Sequence, residues 1–200
     1  VESTGVFTSY EKANVHLDAG AKRVVISARV KDEAGGLGKT VLMGVNESDL
    51  ELCSISSNAS CTTNAASPLV AILSASIGIE KAILNTVHAY TASQALIDGP
   101  SKKDMREGRA AAQNIVPSST GAAIATTLVH TELTNKFDGI SIRVPVPVGS
   151  IIDITFIAKR DTTAEEVNAV LVEAATDPAW RNIFATTTAP LVSSDIIGAR

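Results

Sequence analysis

Aromatic residues are scarce in this 200-residue chain, where Phe, Tyr and Trp together make up 4%. Its 45% of hydrophobic residues must therefore form a core mainly from Val, Ile, Leu and Ala. That suits helices packed on a sheet better than an aromatic-lined barrel. Cysteine is rarer still: Cys53 and Cys61 are the two, too few for a disulfide scaffold and in keeping with a reducing, cytoplasmic setting. The longest apolar stretch, Pro68 to Ile79, is broken by Ser74, Ser76 and Gly78, and nothing approaches the roughly 20 residues that cross a bilayer. Positive charge is not in excess. Lys and Arg number 17 against 21 Asp and Glu, for a net charge of -4, which argues against nucleic acid or an anionic membrane as partner. CxxC and HxxxH spacings are both absent, so no metal site is expected. The first residue is Val1, not methionine, and no charged-then-apolar leader follows it. The chain opens inside a patterned segment and reads as an internal piece of a longer protein.

What is present reads in two parts. Tyr10 to Ala19 predicts a helix closed by Gly20, and Arg23 to Ala28 a buried strand. Val41 to Val45 is a further strand candidate after the glycine-rich turn Gly35, Gly36, Gly38. This alternation is the α/β pattern. Then the character changes. Leu52 to Ser57 is strand-like, Cys61 to Ser76 a helix carrying Pro68, and Ala82 to Thr91 a strand. A long polar segment, Ala92 to Ser119, leads to a helix over Thr120 to Glu132. Ile140, Ile142, Val144, Val146 and Val148 alternate, as do Ile152, Ile154 and Phe156 after Gly149. Two such runs across a short turn predict an antiparallel hairpin with one buried face. Thr163 and Glu166 form a capping box ahead of Val167, Val170, Leu171 and Ala174, which share one helix face. The expected fold is an α/β part, residues 1–60, followed by an α+β part with a mostly antiparallel sheet, residues 61–200.

Three residues invite a chemical reading. Cys61 enters a helix from the polar turn Ser57-Asn58-Ala59-Ser60, where unpaired N–H groups and the helix dipole favour negative charge on sulfur. The plain alternative is a small packed cysteine, which is also the reading of Cys53. His88 stands at a strand end, where active-site groups and hydrogen-bonded structural histidines both occur. His16 and His130 read as surface residues on helices. Arg143 is expected on the face of its strand opposite the apolar residues, flanked by Pro145 and Pro147, either as an anion-binding fork or as a solvated arginine. Ser118-Ser119-Thr120-Gly121 opens a helix and offers a phosphate cradle.

The wording of these segments resembles one family. Ser60-Cys61-Thr62-Thr63-Asn64, Thr86-Val87-His88-Ala89-Tyr90-Thr91, Pro117 to Ala123 and Arg143-Val144-Pro145-Val146-Pro147 are similar to the strings of phosphorylating glyceraldehyde-3-phosphate dehydrogenases, in the same order. Ser3 to Thr8, Val25 to Ala28 and Leu191 to Asp195 extend the likeness over essentially the whole chain. The resemblance implies the later part of a Rossmann-type NAD(P)-binding domain and most of a catalytic domain. It implies Cys61 as the nucleophile and His88 as its acid–base partner. Thr91 and Arg143 are then expected at the substrate's phosphate, and Ser60, Thr62, Thr120 and Gly121 at the attacking inorganic phosphate. Thr4, Gly5 and Ser27 are expected along NAD, with NADP left open. A homotetramer, with the loop after Ala92 reaching a neighbouring subunit's cofactor, also follows from the family. A sister enzyme acting on another phosphorylated sugar, such as erythrose 4-phosphate, a Cys–His hydrolase, and a non-catalytic binding protein of the same fold are the alternatives.

Some positions depart from the family's pattern. Ala65 stands where a second cysteine is frequent, Ile124 where a lysine is common, and Ala28-Arg29 where Ala-Pro is usual. Glu107, in Arg106-Glu107-Gly108-Arg109, stands where many members carry an arginine. An acid there is expected to weaken the attacking-phosphate site unless Arg106 or Arg109 compensates. G-x-G-x-x-G and the acidic residue some 20 positions beyond it are absent from these residues.

Overall fold

The computed structural model describes residues 1–30, 37–102 and 104–199; Gly35 and Gly36 of the expected turn lie outside them. Helix α1 (Tyr10–Asp18) is capped by Ser9, whose side chain accepts from Lys12 N, and buries Tyr10 and Ala13. Strands β1 (Val24–Ile26), β2 (Gly38–Thr40) and β3 (Ile55–Ser57) form an all-parallel sheet in the order β1-β3-β2. Tyr10, Val24, Ile26, Val30 and Ile55 make its core.

The strand expected over Val41–Val45 sits earlier, at β2. The Asn46 side chain takes the backbone out of the ladder, since Oδ1 accepts from Leu42 N at 2.8 Å and Nδ2 donates to Thr40 O at 2.9 Å. Such side-chain capture competes with strand pairing.

Helix α2 (Cys61–Ser76) runs through Pro68 and leads into β4 (Ile79–Ala89). Strand β5 (Val116–Ser119), helix α3 (Ala122–Val129), strands β6 (Phe137–Val144) and β7 (Ser150–Ala158), and helix α4 (Ala164–Thr176) follow. The second sheet is mixed, in the order β5-β6-β4-β7. β4 and β6 are parallel, whereas β4–β7 and β5–β6 are antiparallel. This is an α+β domain whose core joins α2, α3 and α4 to one face of the sheet.

The expected hairpin is not formed: β4 lies between β6 and β7. Pro145 and Pro147 have no N–H to donate, so the ladder cannot continue past Val144 into a tight turn. The segment instead arches over the end of β4. Ala89 N donates to Gly149 O at 3.0 Å, and Tyr90 N to Val146 O at 3.3 Å. Gly149 closes the arch at φ 95°, a conformation that costs glycine little.

The faces also differ from expectation. On β6 the residues turned to the helices are Phe137 and Ser141, both buried, with Arg143 in phase with them, while Ile140 is 56% exposed. Ile83, Ile151 and Ile157 carry the same open face across β4 and β7, at 59%, 56% and 57% exposed. Alternation located the strands, but β6 has Ser141 and Arg143 on the covered side. On β7 the expected face does pack inward, through Ile152, Ile154 and Phe156.

Helix α4 packs Val167 and Leu171 against the core. Thr163 Oγ1 accepts from Glu166 N, but the Glu166 carboxylate turns to Arg160 and Thr162, so only half of the capping box is made. His130 is not a surface residue. It is buried, with Nε2 3.2 Å from Ser67 O, and burial holds its pKa below the ordinary histidine value. His16 is half-buried and pairs with Glu2 at 2.9 Å.

Candidate functional site

The chain leaves β3 through a left-handed residue, Ala59 at φ 58°, whose N–H donates to Ser57 Oγ at 3.1 Å. Asn64 Nδ2 reaches back to Asn58 O at 2.6 Å and Ser60 O at 2.9 Å. Ser60 then caps α2, accepting from Thr63 N, so that Cys61 is the first helical residue, and it is exposed. A thiol in this position lies beside the free N–H groups of a helix start.

His88 comes from the carboxyl end of β4. Its Nε2 lies 3.2 Å from Cys61 Sγ, and its Nδ1 2.8 Å from Ala89 O. In the parallel β4–β6 ladder the Cα partner of His88 is Arg143. Arg143 Nη1 lies 2.6 Å from His88 Nδ1 and 3.2 Å from Ala89 O. Three elements, a helix start and two strand ends, thus put a thiol, an imidazole and a guanidinium in contact.

These groups open onto one pocket of about 240 Å³. Ser60, Cys61 and Thr62 line it from α2, His88 and Thr91 from β4 and its continuation, and Ser141 and Arg143 from β6. Ser119, Thr120, Gly121 and Ala122 line it from the turn into α3. Thr120 Oγ1 caps that turn by accepting from Ala122 N at 3.1 Å. All eight residues expected for catalysis and phosphate binding therefore share one cavity, and no carboxylate among the described residues lines it.

Thr4, Gly5 and Ser27 are not in that cavity. They gather around Glu2, at the carboxyl end of β1. Thr4 donates to the Glu2 carboxylate through its N–H and its hydroxyl, and Ser27 Oγ donates to Glu2 O at 3.0 Å. The Thr4 hydroxyl foremost, with the Thr4 N–H and His16, holds the Glu2 carboxyl below its ordinary pKa. Gly5 has φ 78° and nothing within 4 Å of where a Cβ would stand.

Four lining residues, Arg29, Ser119, Ala122 and Ser141, were not among the eight expected, although Ser119 belonged to the turn named as a phosphate cradle. Ser141 was signalled by its phase with Arg143, and Ser119 by the hydroxyl-rich turn. Arg29 stood out only as a departure from the resembled pattern, yet it reaches the pocket from the far side of the chain, with Nη1 3.5 Å from Gly121 O. The concern over Glu107 is not supported, because Glu107 does not line the pocket. Arg106 and Arg109 are absent from it as well, and pair with Asp104 and Asp98.

Fold and pocket together define a class of protein: an α+β domain on a mixed sheet, with a Cys–His pair set among guanidinium and hydroxyl groups. Residues 60–200 match the family model for the glyceraldehyde 3-phosphate dehydrogenase C-terminal domain, and the chain belongs to that family. It is 49% identical over 198 residues to a glyceraldehyde-3-phosphate dehydrogenase of Mycolicibacterium smegmatis, covering 98% of this chain and 56% of that protein. Against the enzyme of Zymomonas mobilis the identity is 48%, over 98% of this chain and 57% of that protein. Against that of Streptomyces coelicolor it is 46%, over 99% and 58%. The chain thus spans somewhat more than half the length of these relatives. Among the described residues, no helix is long and apolar enough to cross a membrane.

Proposed function

We propose that the protein of which these residues are part oxidises D-glyceraldehyde 3-phosphate to 1,3-bisphosphoglycerate, with NAD as hydride acceptor, in glycolysis. The observation that carries this reading is the 3.2 Å approach of Cys61 Sγ to His88 Nε2 in a pocket with Arg143 and without a described carboxylate.

Cys61 Sγ attacks the aldehyde carbon while His88 takes the thiol proton and hands it to the aldehyde oxygen, giving a thiohemiacetal and a neutral imidazole. His88 then removes the hydroxyl proton, and Cys61 is left holding a thioester. The nicotinamide of NAD supplies the hydride acceptor for that oxidation. Arg143 and Thr91 hold the substrate's own phosphate, fixing the aldehyde carbon against Sγ. Ser60, Thr62, Thr120 and Gly121 hold the inorganic phosphate that cleaves the thioester.

Residues 1–60 are read as the last part of a Rossmann-type dinucleotide-binding domain, and residues 61–200 as catalytic domain. What supports this is an all-parallel sheet whose carboxyl ends carry the exposed Thr4, Gly5 and Ser27. Ligands of such sheets bind outside the strands' carboxyl ends, and the exposed Gly5 leaves its side of that end open. These residues fit the nicotinamide side of the cofactor; the sequence has no G-x-G-x-x-G string for its pyrophosphate. The choice of NAD over NADP is carried by the family rather than by a residue here.

The uncovered face of Ile83, Ile140, Ile151 and Ile157 supports a homotetramer, in which a second subunit shields that surface. Two free cysteines, one exposed beside His88, favour a reducing cytoplasm. The test is an assay of the full-length protein for NAD reduction dependent on both glyceraldehyde 3-phosphate and inorganic phosphate. Cys61→Ser should abolish it. Reduction that needs no phosphate, or that survives this substitution, overturns the reading.

A further inference from the structure

Arg29 enters the pocket from the segment after β1, far in sequence from every other lining group. Its guanidinium lies against Gly121, so close that a Cβ built on Gly121 would meet Arg29 Nη1 at 2.1 Å and Cζ at 2.4 Å. Glycine at 121 is therefore what lets the guanidinium lie in this position; a Cβ there would displace it. Among the described residues, the contact made by its head group is Gly121 O at 3.5 Å, at the long limit of a hydrogen bond. No described carboxylate pairs with it, although it is half-buried. A guanidinium has five donors in a planar fork and stays charged. Among the described residues that fork is largely unspent, in a cavity also lined by Ser119 and Thr120 and without a described acid. Half-burial of an uncompensated cation is costly unless an anion joins it.

We propose that Arg29 binds the attacking inorganic phosphate at the Thr120–Gly121 turn and positions it for thioester cleavage. The inference rests on the function proposed above and adds a residue to it. Arg143 is engaged with His88, so the pocket has one cation for the substrate's phosphate and another for the incoming one. In the step itself a phosphate oxygen forms a bond to the acyl carbon and the C–S bond breaks. The electron pair returns to Cys61 Sγ, and the proton of hydrogen phosphate passes to His88 Nε2, which has by then released the hydroxyl proton to solvent. Arg29 shares the negative charge of the incoming oxyanion, which lets it enter beside the thioester in the attacking orientation.

The test uses the full-length protein with Arg29→Gln and Arg29→Lys. In Arg29→Gln the KM for inorganic phosphate should rise about ten-fold or more, while the KM for the aldehyde phosphate and the phosphate-free acylation burst stay within about two-fold of wild type. Arg29→Lys, which keeps charge without the fork, should fall between. A thermal-shift titration with inorganic phosphate alone reads the same site without activity, and its half-point should move to higher phosphate in Arg29→Gln. An unchanged phosphate KM in both variants overturns the proposal, as does a rise confined to the aldehyde KM. If the wild type shows no acylation at all, the proposed function fails. The thermal titration then still decides, because an unmoved half-point removes Arg29 from anion binding.

Discussion

Arg143 and His88 meet at a single atom: the guanidinium Nη1 lies 2.6 Å from the imidazole Nδ1. A guanidinium only donates, so Nδ1 accepts and the ring proton sits on Nε2, facing Cys61. In that tautomer His88 has no lone pair turned to the thiol. For Nε2 to take the Cys61 proton, Nδ1 must carry hydrogen and donate to Ala89 O, 2.8 Å away. Drawing Arg143 toward a phosphate releases Nδ1 for that bond. Under the proposed function, binding of the substrate's phosphate and readiness of the base would therefore be linked through one nitrogen.

Arg143→Ala should cost about 2–4 kcal/mol in kcat/KM for the phosphorylated aldehyde, the loss of a charge-assisted contact in a partly desolvated pocket. For an aldehyde of the same length without phosphate the loss should be far smaller. Steady-state kinetics on both substrates checks this, and equal losses would make Arg143 structural.

The two cysteines should differ sharply toward iodoacetamide at neutral pH. Cys61 is exposed beside His88, whereas Cys53 is half-buried, with its Sγ 3.5 Å from Asp49 O. Peptide mapping of the full-length protein should find Cys61 labelled first, with activity lost in proportion. Labelling of Cys53 ahead of it would count against the assignment.

Glu166 should make the anchoring of α4 depend on acid. Arg160, at 2.7 Å and 3.1 Å, and the Thr162 hydroxyl hold its carboxyl at about 2, down from 4.5. A lowered folded-state pKa stabilises above the ordinary value, and that stability is lost as pH falls from 4.5 toward about 2. Glu166→Gln should therefore lower Tm at pH 7 by a modest amount, since the site is exposed. The gap between variant and wild type should shrink through that window. A gap constant with pH would mean that the side chain matters only for packing.

Residues 1–200 expressed alone should bind NAD or NADP no tighter than about 1 mM, roughly 4 kcal/mol. Pyrophosphate affinity in such sheets comes largely from a G-x-G-x-x-G turn and the helix start behind it, and that string is absent from these residues. Calorimetry that returned micromolar affinity would show that residues 1–200 hold the pyrophosphate themselves and that the cofactor site has been misplaced.

The sequence disclosed the elements better than their partners. Period-two alternation marks β6 and β7 whether they pair with each other or with a third strand, so the insertion of β4 between them could not be read from Ile140 to Phe156. Pro145 and Pro147 held the one local hint, as residues that deny a tight hairpin its donors. Strand β5 was hidden because Val116 to Ser119 is short and polar and gains its strand character from pairing with β6. Within the site, local pattern raised Cys61, His88 and Arg143 as candidates but left a structural reading of each open, and the resemblance of their strings to one family decided between them. Arg29 was not among them, since its place depends on a glycine 92 positions later.

The ladder between β4 and β6 has a practical corollary. His88 faces Arg143 because Ala82 faces Phe137, six rungs earlier on the same rail. Slipping either strand by one residue would turn one of the two side chains to the opposite face. A preparation in which some molecules have zipped the sheet out of step should therefore contain inert subunits rather than sluggish ones. Counting fast-reacting thiols against total protein would then measure folding quality directly.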